Sequence, residues 1–321
     1  LDATVVVPTF NKLAPLLRTL ESLGRQDCAG SFEVVVVDDA STDGTSEALG
    51  RASPPYPLKT IVHDSNRGRA AARNSGVRAA RGRLIVFLDD DMEASEALVS
   101  AHIRAHDGRD GLAAIGNVRT HPRANDSAVA RYLDTRGAQK TREKRDLPFK
   151  YFSTNNSSVA RRDLESVGLF DEEFAAYGFE DVEIAARLAS NLGVRFVYCG
   201  EAASLHLHKH TLEELLEKKV LAGRSSLRVL LRKHPEMWPD LGLEILERPR
   251  PLRESPALTG KKMMFRILDA AGFQAVAEMI VRDSTFYHLT NRLMDFLVVR
   301  SYWIGMGRPS EREALDSPPS F

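Results

Sequence analysis

Three consecutive carboxylates, Asp89, Asp90 and Asp91, follow directly on the apolar run Leu84-Ile85-Val86-Phe87-Leu88. Three negative charges at one point repel one another unless a cation shares them. A divalent metal that also grips a phosphate-bearing ligand suits the place, and a solvated acidic turn is the plain alternative. Further along, Glu180 and Asp181 open a helical pattern, where the positive end of the helix dipole favours anions. Such a pair is either a charged first turn or a positioned base. His206 and His208 stand two residues apart after a short strand pattern, so both would face one side of it. An imidazole beside the carboxylates would tilt a metal site from Mg²⁺ towards Mn²⁺.

These groups need elements to hold them. Apolar, β-branched runs predict strands at Thr4–Pro8, Phe32–Val37, Leu58–His63, Leu84–Leu88, Leu112–Val118, Phe152–Val159 and Val194–Tyr198. Helical patterns lie between them: Leu13 to Leu23, an N-cap at Ser41 running to Leu49, Arg69 to Arg81, an N-cap at Ser95 running to His106, and Glu180 to Leu192. Strands alternating with helices predict βαβ units. The expected fold is α/β, a Rossmann-like, mostly parallel sheet flanked by helices, with chemistry just beyond the carboxyl ends of the strands. Thr211 and Glu214 form a capping-box pattern that opens a helical extension. Residues 1–210 are expected to form the α/β domain and 211–321 the extension. Asp134 to Lys150 lacks periodicity and carries six basic against three acidic residues, which reads as a lid or a solvated loop. Neither a G-x-G-x-x-G after the first strand nor a P-loop is present.

A chain of 321 residues can bury a sizeable core. Lys+Arg and Asp+Glu balance at 44 each, so charge gives no argument for nucleic acid as a partner. Cys28 and Cys199 lack metal-type spacing and fit a reducing compartment. No signal peptide is visible, and no apolar run approaches the roughly 20 residues of a membrane span. A cytoplasmic protein, at most peripheral at the inner face of the membrane, is the expectation.

Four segments, in this order, resemble the family 2 glycosyltransferases, which use the glycosyltransferase-A fold. They are Val7-Pro8-Thr9-Phe10-Asn11, then Val36-Val37-Asp38-Asp39-Ala40-Ser41-Thr42-Asp43-Gly44-Thr45. Next comes Asn66-Arg67-Gly68 through Ala72-Arg73-Asn74-Ser75-Gly76 to Leu88-Asp89-Asp90-Asp91. Last are Gly168-Leu169-Phe170-Asp171-Glu172 and Gly178-Phe179-Glu180-Asp181-Val182-Glu183. The resemblance implies an inverting, metal-dependent enzyme that moves one sugar from a nucleoside-diphosphate sugar, expected to be UDP-linked, to a hydroxyl of a saccharide, glycolipid or other acceptor.

Carried over residue by residue, the resemblance implies that Asp39 accepts the imide N–H of uracil while Pro8 and Thr9 contact the base. Asn66, Gly68 and Arg73 belong to the donor site. Asp89, Asp90 and Asp91 match the D-x-D motif, with Asp91 the metal ligand and Asp90 facing ribose or diphosphate. His206 completes the shell of Mn²⁺ or Mg²⁺, with His208 its competitor. Asn155 and Asn156 match a polar pair lining the sugar pocket. Asp181 matches the general base, and Glu180 a group that hydrogen-bonds sugar or acceptor. Phe179 stands where the family often has Trp, which keeps a stacking face but drops the indole N–H. The Gln/Arg-x-x-Arg-Trp motif of processive synthases is missing after residue 210, so single-sugar transfer is expected.

Two other classes compete. A sugar nucleotidyltransferase would carry a Gly-rich basic loop where Thr9-Phe10-Asn11 stands. A non-catalytic sugar-nucleotide-binding protein would not need Asp89–Asp91 and Glu180-Asp181 together. The apolar residues from Met263 to Trp303 predict core packing or a homodimer interface, with docking on a membrane surface as the other use.

Overall fold

A computed structural model of the chain describes residues 1–28, 31–124, 127–136, 146–283 and 287–307. These residues gather into two compact units. The first comprises Leu1–Asn125, Leu133–Ala175 and Glu180–Lys209, and the second Asp126–Tyr132, Ala176–Phe179 and His210–Phe321.

An eight-stranded sheet carries the first unit. In chain order its strands are β1 (Ala3–Thr9), β2 (Phe32–Asp38), β3 (Leu58–Val62), β4 (Leu84–Leu88), β5 (Met92–Ala94), β6 (Leu112–Thr120), β7 (Asn156–Ala160) and β8 (Arg195–His206). The helices up to this point are α1 (Leu13–Leu23), α2 (Thr45–Arg51), α3 (Arg69–Ala79), α4 (Leu98–His106), α5 (Ala128–Leu133), α6 (Arg161–Ser166) and α7 (Glu180–Leu192). Strand order is β3-β2-β1-β4-β7-β6-β8-β5. The four strands β3, β2, β1 and β4 are parallel, β7 runs antiparallel to both its neighbours, and β6 and β8 are again parallel.

The order of the strands explains where a site can form. The chain steps outward from β1 to β3 and then returns to the other side of β1 as β4. The crevice at such a reversal opens at the carboxyl ends of the two strands. Both faces of these strands are covered, so their sequences read as continuous apolar runs. Val6, Ile85 and Phe87 pack on one side with Ile184 and Leu188 of α7. Val5, Val7, Val86 and Leu88 pack on the other with Leu16 and Leu20 of α1.

Several local expectations change. Ser41 is not the cap of α2, because its hydroxyl accepts the N–H of Asn11. The helix begins after Gly44, whose φ of 88° only glycine adopts easily. The Ser95 hydroxyl makes no capping bond, and its backbone carbonyl receives Leu98 N–H instead. The strand expected from Phe152 begins at Asn156. The strand expected to end at Tyr198 continues to His206, past a register shift opposite Gly116 and Asn117. Residues 137–145 of the basic stretch lie outside the described residues.

The second unit is helical: α8 (Leu212–Arg224), α9 (Ser226–Lys233), α10 (Met237–Asp240), α11 (Pro256–Ala270), α12 (Gln274–Asp283) and α13 (Tyr287–Met306). The Thr211–Glu214 capping box opens α8. Lys262 is buried against Glu247 and Glu254, and Phe265 stacks on Trp303 at 5.2 Å. Met263, Met264, Ile267 and Met279 stay outside, each more than half exposed. Among the described residues no helix is long and apolar enough to cross a membrane.

Candidate functional site

The carboxyl ends of β1, β2 and β4 converge because they are parallel neighbours, and each ends in polar residues. From β1 come Thr9 and, one turn of loop later, Lys12. From β2 come Asp38 and Asp39, and from β4 the triple aspartate. Thr9 Oγ1 donates to Asp90 Oδ2 at 2.8 Å. The Lys12 ammonium donates to Asp90 Oδ1 at 3.1 Å and to Asp91 Oδ2 at 2.7 Å. Asp91 Oδ1 lies 3.3 Å from His206 Nε2. That pairing follows from the register: Met92 on β5 sits opposite His206 on β8, and Leu207 N–H donates to Asp91 O at 2.8 Å. The short strand β5 is therefore what brings His206, rather than His208, onto the aspartates.

The three aspartates differ. Asp90 and Asp91 are almost buried, whereas the Asp89 side chain is 27% exposed. Burial, with repulsion from Asp91 and Asp89, pushes the Asp90 carboxyl up to about 6 despite the opposing charge of Lys12. Burial would raise Asp91 as well. The hydrogen bond and charge of His206, then Lys12, outweigh it and hold Asp91 well below the usual carboxylate range. Burial alone would lower the Lys12 ammonium, but Asp90 and Asp91 raise it above its ordinary value.

Arg73 on α3 joins this tip to the start of α7. The side chain is buried, with Nη1 donating to Glu180 Oε1 at 2.8 Å and Nη2 to Asp89 Oδ1 at 3.2 Å. Its partners are thus carboxylates of the two sequence motifs. Among the described residues, Arg73 Nε and Glu180 Oε2 are buried without a hydrogen-bond partner, which is costly unless something else supplies one. Asp181 follows Glu180, and burial first, then the charge of Glu180, raises its carboxyl above the ordinary range while Arg73 opposes the shift.

Asp39 is held from three sides. Oδ1 lies 2.7 Å from His63 Nδ1 and accepts Arg67 N–H at 2.9 Å, and Oδ2 accepts Gly68 N–H at 2.8 Å. His63 Nε2 in turn lies 2.9 Å from Ser75 Oγ. Gly68 has φ 86°, and an added Cβ would lie 2.7 Å from the Ala175 carbonyl oxygen. The need for glycine there is met by this backbone contact rather than by closeness to a ligand. Asn66 is exposed in the same loop, and Pro8 is half-buried beside Val37.

Asn156 does not fit the sugar pocket. It is wholly buried, with Oδ1 2.8 Å from His102 Nε2 and its amide donating to Ala202 O and Ser204 Oγ. Asn155 precedes β7, and its carbonyl accepts Asp89 N–H at 3.3 Å. Lys12 and His63 were missed. Lys12 closes the β1 loop, whereas His63 reaches Asp39 only through the parallel register of β3 on β2, Asp38 opposite Val62.

Backbone strain marks the same places. Four non-glycine residues among those described have positive φ: Asn11, Ala40, Leu169 and Phe179. Three of them immediately precede or follow Lys12, Asp39 and Glu180, as expected where side chains are aimed for function.

One carboxylate oxygen and one imidazole nitrogen about 3 Å apart suit two adjacent positions of a divalent ion, whose ligands lie at about 2.0–2.2 Å. With Asp91 kept ionised, the donor set fits Mn²⁺ or Mg²⁺.

Comparison with known proteins places this geometry. The family model described as Glycosyl transferase family 2 matches residues 4–168, just over half of the chain. The validoxylamine A glucosyltransferase of Streptomyces hygroscopicus subsp. jinggangensis is 31% identical over 271 residues, covering 74% of this chain and 62% of the relative. The chain spans less than two thirds of the length of the curated relatives it matches first. Among solved structures, the mannosyltransferase PcManGT of Pyrobaculum calidifontis, in complex with GDP-Man and Mn²⁺, has TM-score 0.62 at 19% identity, covering 97% of this chain and 88% of that one. S. aureus TarS 1-349 in complex with UDP has TM-score 0.53 at 19% identity, covering 98% and 93%. With the family match and this fold together, the chain belongs to the family 2 glycosyltransferases and has their glycosyltransferase-A fold.

Proposed function

We propose that this chain transfers one sugar from a uridine-diphosphate sugar to a hydroxyl acceptor, with inversion at the anomeric carbon. The observation that carries the reading is Arg73, which ties Asp89 at the tip of β4 to Glu180 at the start of α7. It holds the proposed diphosphate end and the proposed base within one polar network. When bound by Asp91 and His206, a divalent cation would neutralise charge on the leaving diphosphate.

The chain's own groups do the rest. Asp181, raised by burial and by Glu180, takes the acceptor's proton as its oxygen attacks from the face opposite the diphosphate. Glu180 Oε2, without a hydrogen-bond partner among the described residues, accepts a hydroxyl of sugar or acceptor. Asp90, braced by Thr9, faces the ribose or diphosphate end. The sugar nucleotidyltransferase alternative falls with the family assignment.

Acceptor counting favours uridine. A carboxylate offers about four lone-pair positions, and His63, Arg67 N–H and Gly68 N–H use three of those on Asp39. One position remains, which matches the single imide N–H of uracil better than the two adjacent donors of guanine. The related folds bind both kinds, UDP in TarS and GDP-Man in PcManGT. A thermal-shift comparison with Mn²⁺ present tests the choice. UDP should raise Tm by several degrees at a concentration where GDP moves it by less than about one degree, since a tenfold affinity difference is about 1.4 kcal/mol. A larger shift with GDP would overturn the assignment of Asp39.

A further inference from the structure

The Lys12 ammonium occupies the bridging position between Asp90 and Asp91, 3.1 and 2.7 Å from their oxygens. A divalent cation on Asp91 and His206 would share the Asp91 carboxylate with that ammonium. We infer that Lys12 is a built-in counter-cation that the metal must displace, so that metal capture depends on the arrival of the diphosphate. The inference rests on the metal reading given above.

Three features support it. First, the backbone around Lys12 is fixed while its side chain reaches towards solvent. Asn11 N–H donates to Ser41 Oγ, Asn11 Oδ1 accepts Thr42 N–H, and Leu13 N–H donates to Asp43 Oδ2. The Lys12 side chain, by contrast, is 37% exposed against 8% and 6% for its two partners. A four-carbon stem on a pinned backbone can withdraw its head without moving the loop. Second, Asp91 is flanked on both oxygens, Lys12 on Oδ2 and His206 on Oδ1. A dication joining His206 and Asp91 would meet the ammonium across a single carboxylate, and like charges so close repel strongly in a partly buried place. Third, the diphosphate resolves the conflict, because its negative oxygens can receive both the metal and the displaced ammonium. Metal alone gains only what Lys12 gives up. Metal with diphosphate gains a partner for each positive group.

The test is Mn²⁺ binding followed by the electron paramagnetic resonance signal of the free ion, on the whole chain, with and without UDP. Without nucleotide, Lys12→Met should bind Mn²⁺ at least about ten-fold more tightly than the parent, as expected from removing one adjacent positive charge. With UDP present, the gap should shrink to about three-fold or less, since the diphosphate then satisfies the ammonium. A gain in affinity is something loss of structure cannot produce. Should Lys12→Met fail to fold, Lys12→Gln removes the same charge and should show the same gain. Asp91→Asn separates the two ideas. If it abolishes Mn²⁺ uptake with UDP while Lys12→Met equals the parent, the metal site stands and the lysine's role is overturned. If Asp91→Asn binds Mn²⁺ as the parent does, the metal reading itself fails.

Discussion

Replacing Asp181 by Asn should lower kcat by about a thousand-fold, within the range a general base contributes, while UDP still binds within about three-fold of the parent. Asn matches the shape of Asp and can still accept the Val182 N–H, as Asp181 Oδ1 does at 2.8 Å. Only the ability to take a proton is lost. The pH profile carries a second signature. Burial and the neighbouring Glu180 raise the Asp181 carboxyl, so the ionised, competent form is lost as pH falls through a value above the ordinary carboxylate range. The parent's kcat should fall on the acid side from an unusually high pH, and the residual rate of Asp181→Asn should lack that limb. Steady-state kinetics from pH 5 to 9, paired with calorimetric UDP titration, read both. Full turnover by the variant would remove Asp181 as the base.

The second large effect belongs to Asp91. Asp91→Ala should weaken UDP binding in the presence of Mn²⁺ by about 100-fold or more, since even outer-shell partners of a metal are worth about 10- to 100-fold. In EDTA the two proteins should bind UDP alike. The contrast arises because the Asp91 side chain pairs with Lys12 and His206, whereas the proposed base-binding end sits on Asp39. Isothermal titration with and without metal makes the comparison, and equal Mn²⁺ dependence in both proteins would sink the ligand assignment.

Much of this arrangement was legible in the chain. A strand covered on both faces must be apolar throughout, so Leu84–Leu88 declared a central strand, with the three aspartates at its carboxyl end. Glu180 and Asp181 begin the helix expected of them, with the same limits of Glu180–Leu192. The asparagines show what such reading cannot resolve. Asn155 precedes β7 and Asn156 begins it with its side chain wholly buried, so the two do not line one pocket together. Which of them turned inward depended on His102, a buried residue of α4 that offers Asn156 a partner. The clamp of His63 on Asp39 needed the register of β2 against β3, a long-range fact. His206 needed β5, three residues long and too short to leave a period.

The long strand β8 hid for a related reason. Gly200-Glu201-Ala202 is absorbed where the register shifts against β6, and the strand resumes to deliver His206 beside Asp91. In the second unit, the helical region from about Leu258 to Trp303 divides into three helices, α11 to α13. Phe265, Leu293, Leu297 and Trp303 turn inward while Met263, Met264 and Ile267 do not. A mixed apolar and basic stretch does not reveal that division before its helices are paired.

In the proposed reaction, a diphosphate held at the β4 tip leaves from one side of the sugar while Asp181 activates the incoming oxygen on the other. Slow hydrolysis of the donor, with water as acceptor, reports this without knowledge of the natural acceptor. Proton NMR of an α-linked UDP-sugar with Mg²⁺ and the protein should show the β anomer of the free sugar first, before mutarotation mixes the two. The α anomer appearing first would contradict attack from the side of Asp181.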